Sequence, residues 1–273
     1  MTIPQLARSR VSVLDVPVDL LPRTGVESWL QSVMTSGNDP RCRHLVTLNP
    51  EYVMAADRDD DFRKALREAD LAVPDGVGIT LAMRWLRRRR SSDGPFDRVT
   101  GVDVTEIVAA IGAANRVPVF LLGAGPGVAA VAAGRLSARH PGFVLAGTWG
   151  GGTASPSDDA QALALIRASG AVVVLVAYGA PGQIHWIARN QEVLAASGVR
   201  LAIGVGGALD FIAGTVRRAP AWVRRAGFEW LYRLLREPWR WRRQLVLPRF
   251  ALRVAMAGVR QRLGARRSAS PGV

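Results

Sequence analysis

The feature that most constrains the fold is a series of short apolar runs, which occupy residues 117–122, 142–146, 171–177 and 199–205. Segments with helical spacing follow the first three runs and begin at Gly127, Ser157 and Pro181. Continuous apolar strands that alternate with helices are typical of strands buried on both faces. The sequence therefore predicts an α/β fold with a mainly parallel sheet and helices on both faces. An alternating run at residues 11–16 predicts one further strand.

The positive charge of the chain is concentrated near its C-terminus. The net charge is +14, and residues 217–273 alone carry +13, from fifteen arginines against Glu229 and Glu237. We therefore divide the chain into an α/β body (1–216), an Arg/Trp-rich helical appendage (217–263) and a disordered tail (264–273). Such an asymmetry indicates an anionic partner, which nucleic acid, anionic lipid or phosphate groups would each satisfy.

The appendage combines arginines with large apolar side chains. Four of the eight tryptophans lie there, and Pro238 and Pro248 are expected to divide it into short helices. Apolar residues recur from 252 to 263 with arginines between them. This composition is typical of a helix that lies on a membrane surface, and a basic helix packed on its own domain is the alternative.

Metal and disulfide chemistry find little support in the sequence. The single Cys42 cannot form an intramolecular disulfide, and the three histidines are scattered along the chain. Residues 59–61 are three aspartates with the acid-x-acid spacing of some metal-dependent sugar-nucleotide enzymes. They open a helical segment, where acids favour the helix dipole. We therefore interpret them as a solvated helix start and predict no metal site.

Asp75 is the first candidate for chemistry. It follows an apolar run at residues 71–73 and Pro74, and Gly76 and Gly78 come after it. This pattern places Asp75 on a turn at the carboxyl end of a strand, where open α/β sheets bind ligands. Its alternative role is to cap the helix that begins at residue 77, because Asp is a good N-cap.

Further polar residues follow other predicted strands or loops. Thr47 and Asn49 lie two residues apart at the end of an apolar run, so both side chains could enter one cleft. A satisfied strand hydroxyl and a helix cap explain the pair equally well. Arg98 precedes a predicted helix and is a candidate for phosphate binding, although surface arginines are common.

Three Gly-rich turns, at residues 123–127, 179–183 and 204–207, follow predicted strands. Together they indicate one extended ligand cleft. The first contains Gly123 and resembles a dinucleotide-binding turn, but it lacks the G-x-G-x-x-G spacing and includes Pro126. It is weak evidence for a nucleotide diphosphate at a helix start.

Several segments, in the expected order over residues 10–245, resemble the WecG/TagA/CpsF glycosyltransferases (glycosyltransferase family 26). They are Thr47-Leu48-Asn49-Pro50-Glu51, Pro74-Asp75-Gly76-Val77-Gly78, Arg98-Val99-Thr100-Gly101, Gly204-Val205-Gly206-Gly207 through Asp210, Ala219-Pro220-x-Trp222, and Glu229-Trp230-Leu231-Tyr232-Arg233-Leu234 with Glu237-Pro238. One departure concerns the family's Pro-Lys-Gln-Glu, which is replaced here by Pro181-Gly182-Gln183-Ile184. Gln183 is retained, and any role of the missing Lys and Glu is open.

The resemblance implies a Rossmann-like body with a C-terminal appendage that closes the site. It also implies an inverting, metal-independent transfer of a sugar from a UDP-sugar to a polyprenyl-diphosphate-linked acceptor. Family donors carry N-acetylmannosamine, its uronic acid or glucose, and the products serve cell-surface polysaccharides. The implied enzyme works at the inner face of the bacterial plasma membrane, as a peripheral protein on its anionic surface.

The resemblance also suggests roles for particular residues. Asp75 would take the proton of the acceptor hydroxyl, while Thr47, Asn49 and Gln183 would position the reacting sugars. The cations that would face the diphosphate are Arg98, Arg233, Arg240 and Arg243. We add Gly123, Gly206 and Asp210 to the predicted substrate-binding set because they lie in the Gly-rich turns or the matching segments.

Two other classes of function stay open from the sequence. The turn at residues 123–127 would suit a nucleotide-dependent oxidoreductase, and the cationic appendage would suit a nucleic-acid-binding protein. Our prediction is a UDP-sugar-dependent hexosyltransferase without a cofactor and without nucleic acid as a partner. The sugar, the acceptor and assembly into a homo-oligomer are left open.

Overall fold

The computed structural model describes residues 9–37, 40–87, 94–220, 222–223, 228–236, 241 and 245–268, with backbone only at 233 and 264–268. The strands are β1 (Arg10–Val13), β2 (Val16–Asp19), β3 (Arg43–Leu48), β4 (Leu71–Pro74), β5 (Val119–Gly123), β6 (Leu145–Trp149), β7 (Val173–Ala177) and β8 (Leu201–Gly204). The helices are α1 (Arg23–Thr35), α2 (Pro50–Ala55), α3 (Asp60–Glu68), α4 (Val77–Leu86), α5 (Gly101–Asn115), α6 (Val128–Arg139), α7 (Asp159–Ser169), α8 (Gly182–Ala196), α9 (Ala208–Ala213), α10 (Glu229–Arg236) and α11 (Val246–Ser268).

Six of these strands form one parallel sheet in the order β4-β3-β8-β7-β5-β6. On β5, β7 and β8, alternate residues enter different cores, as the period of a strand requires. On β7, for example, Leu175 packs with helices α1, α5, α6 and α9, whereas Val176 packs with α7 and α8. The predicted Rossmann-like α/β fold, with helices on both faces, is confirmed.

Two strand boundaries differ from the sequence prediction. The run at residues 11–16 is not one strand, because the chain reverses at Leu14 and Asp15, which have φ values of 49° and 70°, and forms the β1–β2 hairpin. β6 begins at Leu145 rather than at Gly142. Gly142 has a φ of 91°, and the neighbouring Phe143 amide donates to the His140 carbonyl, so this part of the run is a turn.

The last helix is longer than predicted and packs on the body. α11 continues through Ser268, so the expected disordered tail does not begin at residue 264. Pro248 does not separate helices, because it lies in the first turn of α11, where its missing N–H has no helical partner to lose. α11 packs against α2 and α4 and buries Phe250 and Val254.

Specific side-chain contacts hold α11 in place. Arg253 forms an ion pair with Asp57, in the turn after α2. The Arg262 guanidinium lies 3.7 Å from the centre of the Trp85 ring, a cation–π contact with α4. Gly258 also faces this indole, and a Cβ there would overlap the Trp85 Nε1. In the described part of the chain, no helix combines the length and the apolar character that a membrane span requires.

Candidate active site

A cleft of about 810 Å³ lies at the carboxyl ends of β4 and β8, between the body and helices α10 and α11. The polar side chains that line it are Asn49, Glu51, Asp75, Arg98, Thr100, Arg218 and Glu229. The apolar side chains come mainly from α4 and α11. The cleft therefore has a charged part around the strand ends and an apolar part between two helices, at the edge of the sheet where α/β proteins bind ligands.

Asp75 lies immediately after β4, and its position follows from the local sequence. Its amide donates to the Leu48 carbonyl at 2.7 Å, which holds the turn against β3. The N-cap of α4 is Gly76, at a φ of 94°, and none of the described side chains caps this helix. The alternative role of Asp75 as a helix cap is therefore wrong. Its carboxylate instead accepts a hydrogen bond from the Gly101 amide at the start of α5.

The surroundings of Asp75 shift the pKa of its carboxyl toward neutral pH. Burial raises the pKa of this carboxyl to about 7, and the negative charge of Glu229 also raises it. The Gly101 amide and the Arg98 guanidinium act in the opposite direction and lower the pKa of Asp75. A carboxyl with a pKa near 7 can both accept and release a proton at physiological pH, as general base catalysis requires.

Turnover should therefore depend on pH through Asp75. We expect kcat/KM to rise with pH through a midpoint near 7 to a plateau above about 8, because the carboxyl must be ionised to accept a proton. At pH 6 it should be about a tenth of the plateau value. Glu229→Gln should move the midpoint to lower pH, because it removes a negative charge that raises the pKa of Asp75.

The measurement is kcat/KM against pH for wild type, Glu229→Gln and Glu192→Gln. Glu192 is exposed on α8 and does not line the cleft, so its substitution serves as the matched control. A midpoint that is unchanged in Glu229→Gln, or that moves equally in both variants, would contradict this account of the site.

The start of α5 is fixed close to Asp75 by two local features. Thr100 and Asp103 form a capping box, in which each side chain accepts from the other residue's backbone amide. Gly101 approaches β8 so closely that a Cβ would lie 2.9 Å from the Val205 carbonyl oxygen. Any larger residue at position 101 would push the helix, and with it the amide that Asp75 binds, away from the strand end.

Arg218 lines the cleft but is not among the residues that the sequence predicts to bind substrate. Its Nη2 donates to the Thr100 hydroxyl at 3.2 Å, and its Nε lies 3.6 Å from a Glu229 carboxylate oxygen. Arg218 thus links the start of α5 in the body to α10 of the appendage. In the sequence, Arg218 is one of many arginines in the cationic segment. The only further signal is that it adjoins Ala219-Pro220-x-Trp222, one of the segments that resemble the family.

The structure divides the predicted catalytic residues into two groups. Asn49 lines the cleft with Asp75 and also caps α2 by accepting from the Tyr52 amide at 3.0 Å. Arg98, which is predicted to face the diphosphate, lines the same cleft. Thr47 and Gln183 are buried beneath the cleft. The Thr47 hydroxyl donates to the Gly204 carbonyl at 3.3 Å.

Gln183 uses both ends of its amide inside the protein. Its Nε2 donates to the Tyr52 hydroxyl at 2.6 Å, and its Oε1 accepts from the Gly206 amide at 3.0 Å. A Cβ on Gly204 would lie 2.8 Å from the same Nε2, so the close contact requires glycine. These contacts brace the turn after β8. A direct role of Thr47 and Gln183 toward the sugars stays a prediction.

The predicted substrate-binding residues are more scattered. Within the described residues, Gly123, Gly206 and Asp210 do not line the cleft, and Asp210 accepts from the Thr215 hydroxyl at the end of α9. Arg233 lies in α10, although only its backbone is described, and Arg240 and Arg243 lie outside the described residues. The roles assigned to these residues stay predictions.

The three aspartates at residues 59–61 mark the start of α3. Asp59 accepts from the Phe62 amide at 2.9 Å as the N-cap and lies 3.0 Å from His185, and Asp60 forms an ion pair with Arg63. Their interpretation as a helix start is confirmed. Among the described residues, no group of three His, Cys, Asp or Glu side chains is placed to hold a metal ion.

An α/β fold with a cleft at its strand ends, lined by a carboxyl and two arginines, is typical of an enzyme. Residues 11–266 match the model of the Glycosyl transferase WecG/TagA/CpsF family, and the chain belongs to that family. It is a hexosyltransferase that acts in cell-surface polysaccharide synthesis.

Two curated relatives are similar over most of their length. An N-acetylglucosaminyldiphosphoundecaprenol N-acetyl-beta-D-mannosaminyltransferase of Bacillus subtilis (strain 168) is 32% identical over 77% of this chain and 78% of its own. The protein of the same name from Bacillus spizizenii (strain ATCC 23059 / NRRL B-14472 / W23) is 31% identical over 77% of each chain.

Proposed function

We propose that this enzyme transfers N-acetylmannosamine from its UDP conjugate to an N-acetylglucosaminyl-diphosphoundecaprenol acceptor, with inversion and without a metal ion. The observation that carries the proposal is the position of Asp75, at the carboxyl end of β4 in a cleft that Arg98 and Arg218 also line, in a member of the WecG/TagA/CpsF family. The names of the two relatives supply the sugar and the acceptor.

The proposed step is a single displacement at the anomeric carbon. The acceptor hydroxyl oxygen forms a bond to this carbon from one face, while the bond to the diphosphate oxygen breaks on the opposite face. The hydroxyl proton passes to the Asp75 carboxylate, and the electron pair of the broken bond leaves with UDP. Attack and departure on opposite faces invert the configuration, in agreement with the beta linkage in the relatives' names.

Negative charge that develops on the leaving diphosphate needs cations. Arg98 and Arg218 line the same cleft as Asp75, and guanidinium groups bind phosphate oxygens in a bidentate manner. Cations that are already in place stabilise the leaving group as a metal ion would. By family resemblance, Arg233, Arg240 and Arg243 of the appendage would add to this set.

A neutral donor sugar fits the residues after β7 better than a uronic acid. Where the family has Lys and Glu, this chain has Gly182 and Ile184. Ile184 is buried in the apolar core, and a Cβ on Gly182 would lie 2.7 Å from the Cβ of Ala154. The replacement removes a cation that a sugar carboxylate could use. We therefore place N-acetylmannosamine first, and its uronic acid and glucose after it.

Because the proposed acceptor is lipid-linked, we propose that the enzyme acts at the inner face of the plasma membrane as a peripheral protein. The outer side of α11 exposes Leu252, Met256, Val259 and Leu263, with Arg260 among them. Apolar side chains with cations beside them suit an anionic lipid surface. The inner face of α11 packs on the body, which is the alternative role that the sequence left open for this basic helix.

The test is a transfer assay with purified protein in EDTA. UDP-N-acetylmannosamine, its uronic acid and UDP-glucose are each offered with an N-acetylglucosaminyl-diphosphoprenyl acceptor, and the product is identified by mass spectrometry and NMR of the new linkage. We expect a beta-linked disaccharide from the first donor, undiminished by EDTA. Activity restored only by Mg²⁺ or Mn²⁺, or an alpha linkage, would contradict the proposed mechanism. No product from any donor would contradict the proposed function.

A further inference from the structure

We propose that the apolar part of the cleft, between α4 and α11, binds the first isoprene units of the polyprenyl chain of the acceptor. This inference rests on the proposed function and adds to it a lipid-tail subsite within the protein. We call this part of the cleft the prenyl groove. Its wall is formed by Leu81 and Trp85 of α4 and by Leu247, Phe250, Ala251 and Ala255 of α11.

The prenyl groove exposes apolar surface that the described residues leave uncovered. Leu81 is 56% exposed and Trp85 is 41% exposed, although both line a concave cleft. Apolar surface of this kind is unfavourable in water and typically marks a binding site. Among the lining residues of the groove, the described side chains are aliphatic or aromatic, so its ligand is held by apolar contact rather than by hydrogen bonds.

The groove is continuous with the site of chemistry. α4 begins two residues after Asp75, and its cleft-lining residues Gly78, Leu81 and Trp85 recur at the three- to four-residue spacing of one helix face. This face extends about 12 Å along the helix from residue 77 to residue 85. Charged groups at one end and apolar groups at the other match the order of an acceptor whose sugar and diphosphate precede its prenyl chain.

The α11 side of the groove has small side chains, and contacts with the body hold it in place. Ala251 and Ala255 lie one turn apart, and their small side chains leave space between the helices. The ion pair of Arg253 with Asp57 and the contact of Arg262 with Trp85 hold α11 against the body. A preformed groove takes a branched apolar chain without having to order its own walls first.

The subsite predicts a preference for acceptor chain length that does not require a membrane. N-acetylglucosaminyl-diphosphate acceptors with methyl, C10 and C15 prenyl groups are compared in solution without vesicles or detergent. Each buried CH₂ group strengthens binding about fourfold. We therefore expect the KM for the C15 acceptor to be at least about 30-fold below that for the methyl acceptor, with a similar kcat.

Filling the groove should remove this preference. Ala255→Trp places an indole in the groove and should bring the KM for the C15 acceptor to within about threefold of the KM for the methyl acceptor. Leu81→Ser removes apolar wall without adding bulk and should reduce the preference by about fivefold. Gln261→Trp adds the same indole to α11 at an exposed position outside the cleft, and it should keep the wild-type preference.

The readouts separate this inference from the function on which it rests. If the methyl and C15 acceptors react with equal KM in wild type, or if Ala255→Trp and Leu81→Ser both keep the full preference, the prenyl groove is excluded while the transferase function stands. A chain-length preference that arises only with vesicles, and that Gln261→Trp and Ala255→Trp change equally, would assign the effect to the membrane instead. Failure of the methyl acceptor and of every prenyl acceptor would count against the proposed function itself.

Discussion

Asp75→Asn is expected to lower kcat by about 10²–10⁴-fold, the usual contribution of a general base. Asparagine has the shape of aspartate and can still accept the hydrogen bond from the Gly101 amide, but it cannot take a proton from the acceptor hydroxyl. UDP affinity should change little, because the substitution leaves Arg98 and Arg218 in the cleft. The residual rate should also lose its rise with pH through about 7.

The matched control is Asp61→Asn, which makes the same change at an exposed position in the first turn of α3. It should leave kcat within about twofold of wild type. For both variants, turnover is measured by single-turnover kinetics and UDP affinity by calorimetry. Near-normal turnover of Asp75→Asn would remove this residue from the role of base. A comparable loss of kcat in Asp61→Asn would instead support metal binding at residues 59–61.

The stability of Asp75→Asn offers an independent check of the pKa. Burial raises the pKa of Asp75 from 3.8 to about 7 in the folded protein, so the wild type loses stability as pH rises between these values. The asparagine variant has no such penalty. Its free energy of unfolding relative to wild type should therefore increase between pH 4 and pH 8, by up to about 4 kcal/mol.

Val254→Asp is expected to have the second large effect, because it places a carboxylate on the buried face of α11. Val254 is 7% exposed and packs with Phe250 in the core beneath α4. Burying an unpaired charge there should destabilise the docked helix by about 3–5 kcal/mol. With α11 displaced, the cleft loses one wall, so turnover should fall at least about tenfold even with a short, water-soluble acceptor.

Val259→Asp makes the same substitution on the same helix at a residue that is 48% exposed. It should keep turnover with the short acceptor, while its binding to anionic vesicles weakens. Vesicle co-sedimentation and kcat, measured for both variants, separate docking of α11 on the body from its contact with lipid. Full turnover of Val254→Asp would mean that the docked helix contributes nothing to the site. Unchanged vesicle binding of Val259→Asp would mean that the exposed face of α11 does not contact lipid.

Much of the fold is determined by features that act locally along the sequence. Apolar runs at residues 117–122 and 171–177 can be buried only as strands covered on both faces, which is where β5 and β7 lie. Pro74 ends a strand and Gly76 permits a positive φ, so the turn that presents Asp75 is written into neighbouring residues. The motifs that identify the family are local in the same sense.

Where local signals compete, the sequence was misleading. Residues 11–16 alternate as one strand would, but the turn at Leu14 and Asp15 forms because β2 pairs back onto β1. The two-residue spacing of Thr47 and Asn49 predicts that both side chains enter the cleft, yet Thr47 is buried beneath it. A period of two identifies a face of a strand, but it does not say how far along the strand the cleft begins.

The chemical character of the site was decided by tertiary structure. The pKa of Asp75 depends on burial and on Glu229, which lies more than 150 positions away in the chain. The contact of Arg218 with Thr100 and the docking of α11 on α4 likewise join distant segments. Charge interactions and desolvation depend on distance through space, which the order of residues does not contain. The sequence by itself thus determined most of the parallel strands, the turn that presents Asp75 and the family, and only the folded chain decided the proton affinity of Asp75 and the walls of its cleft.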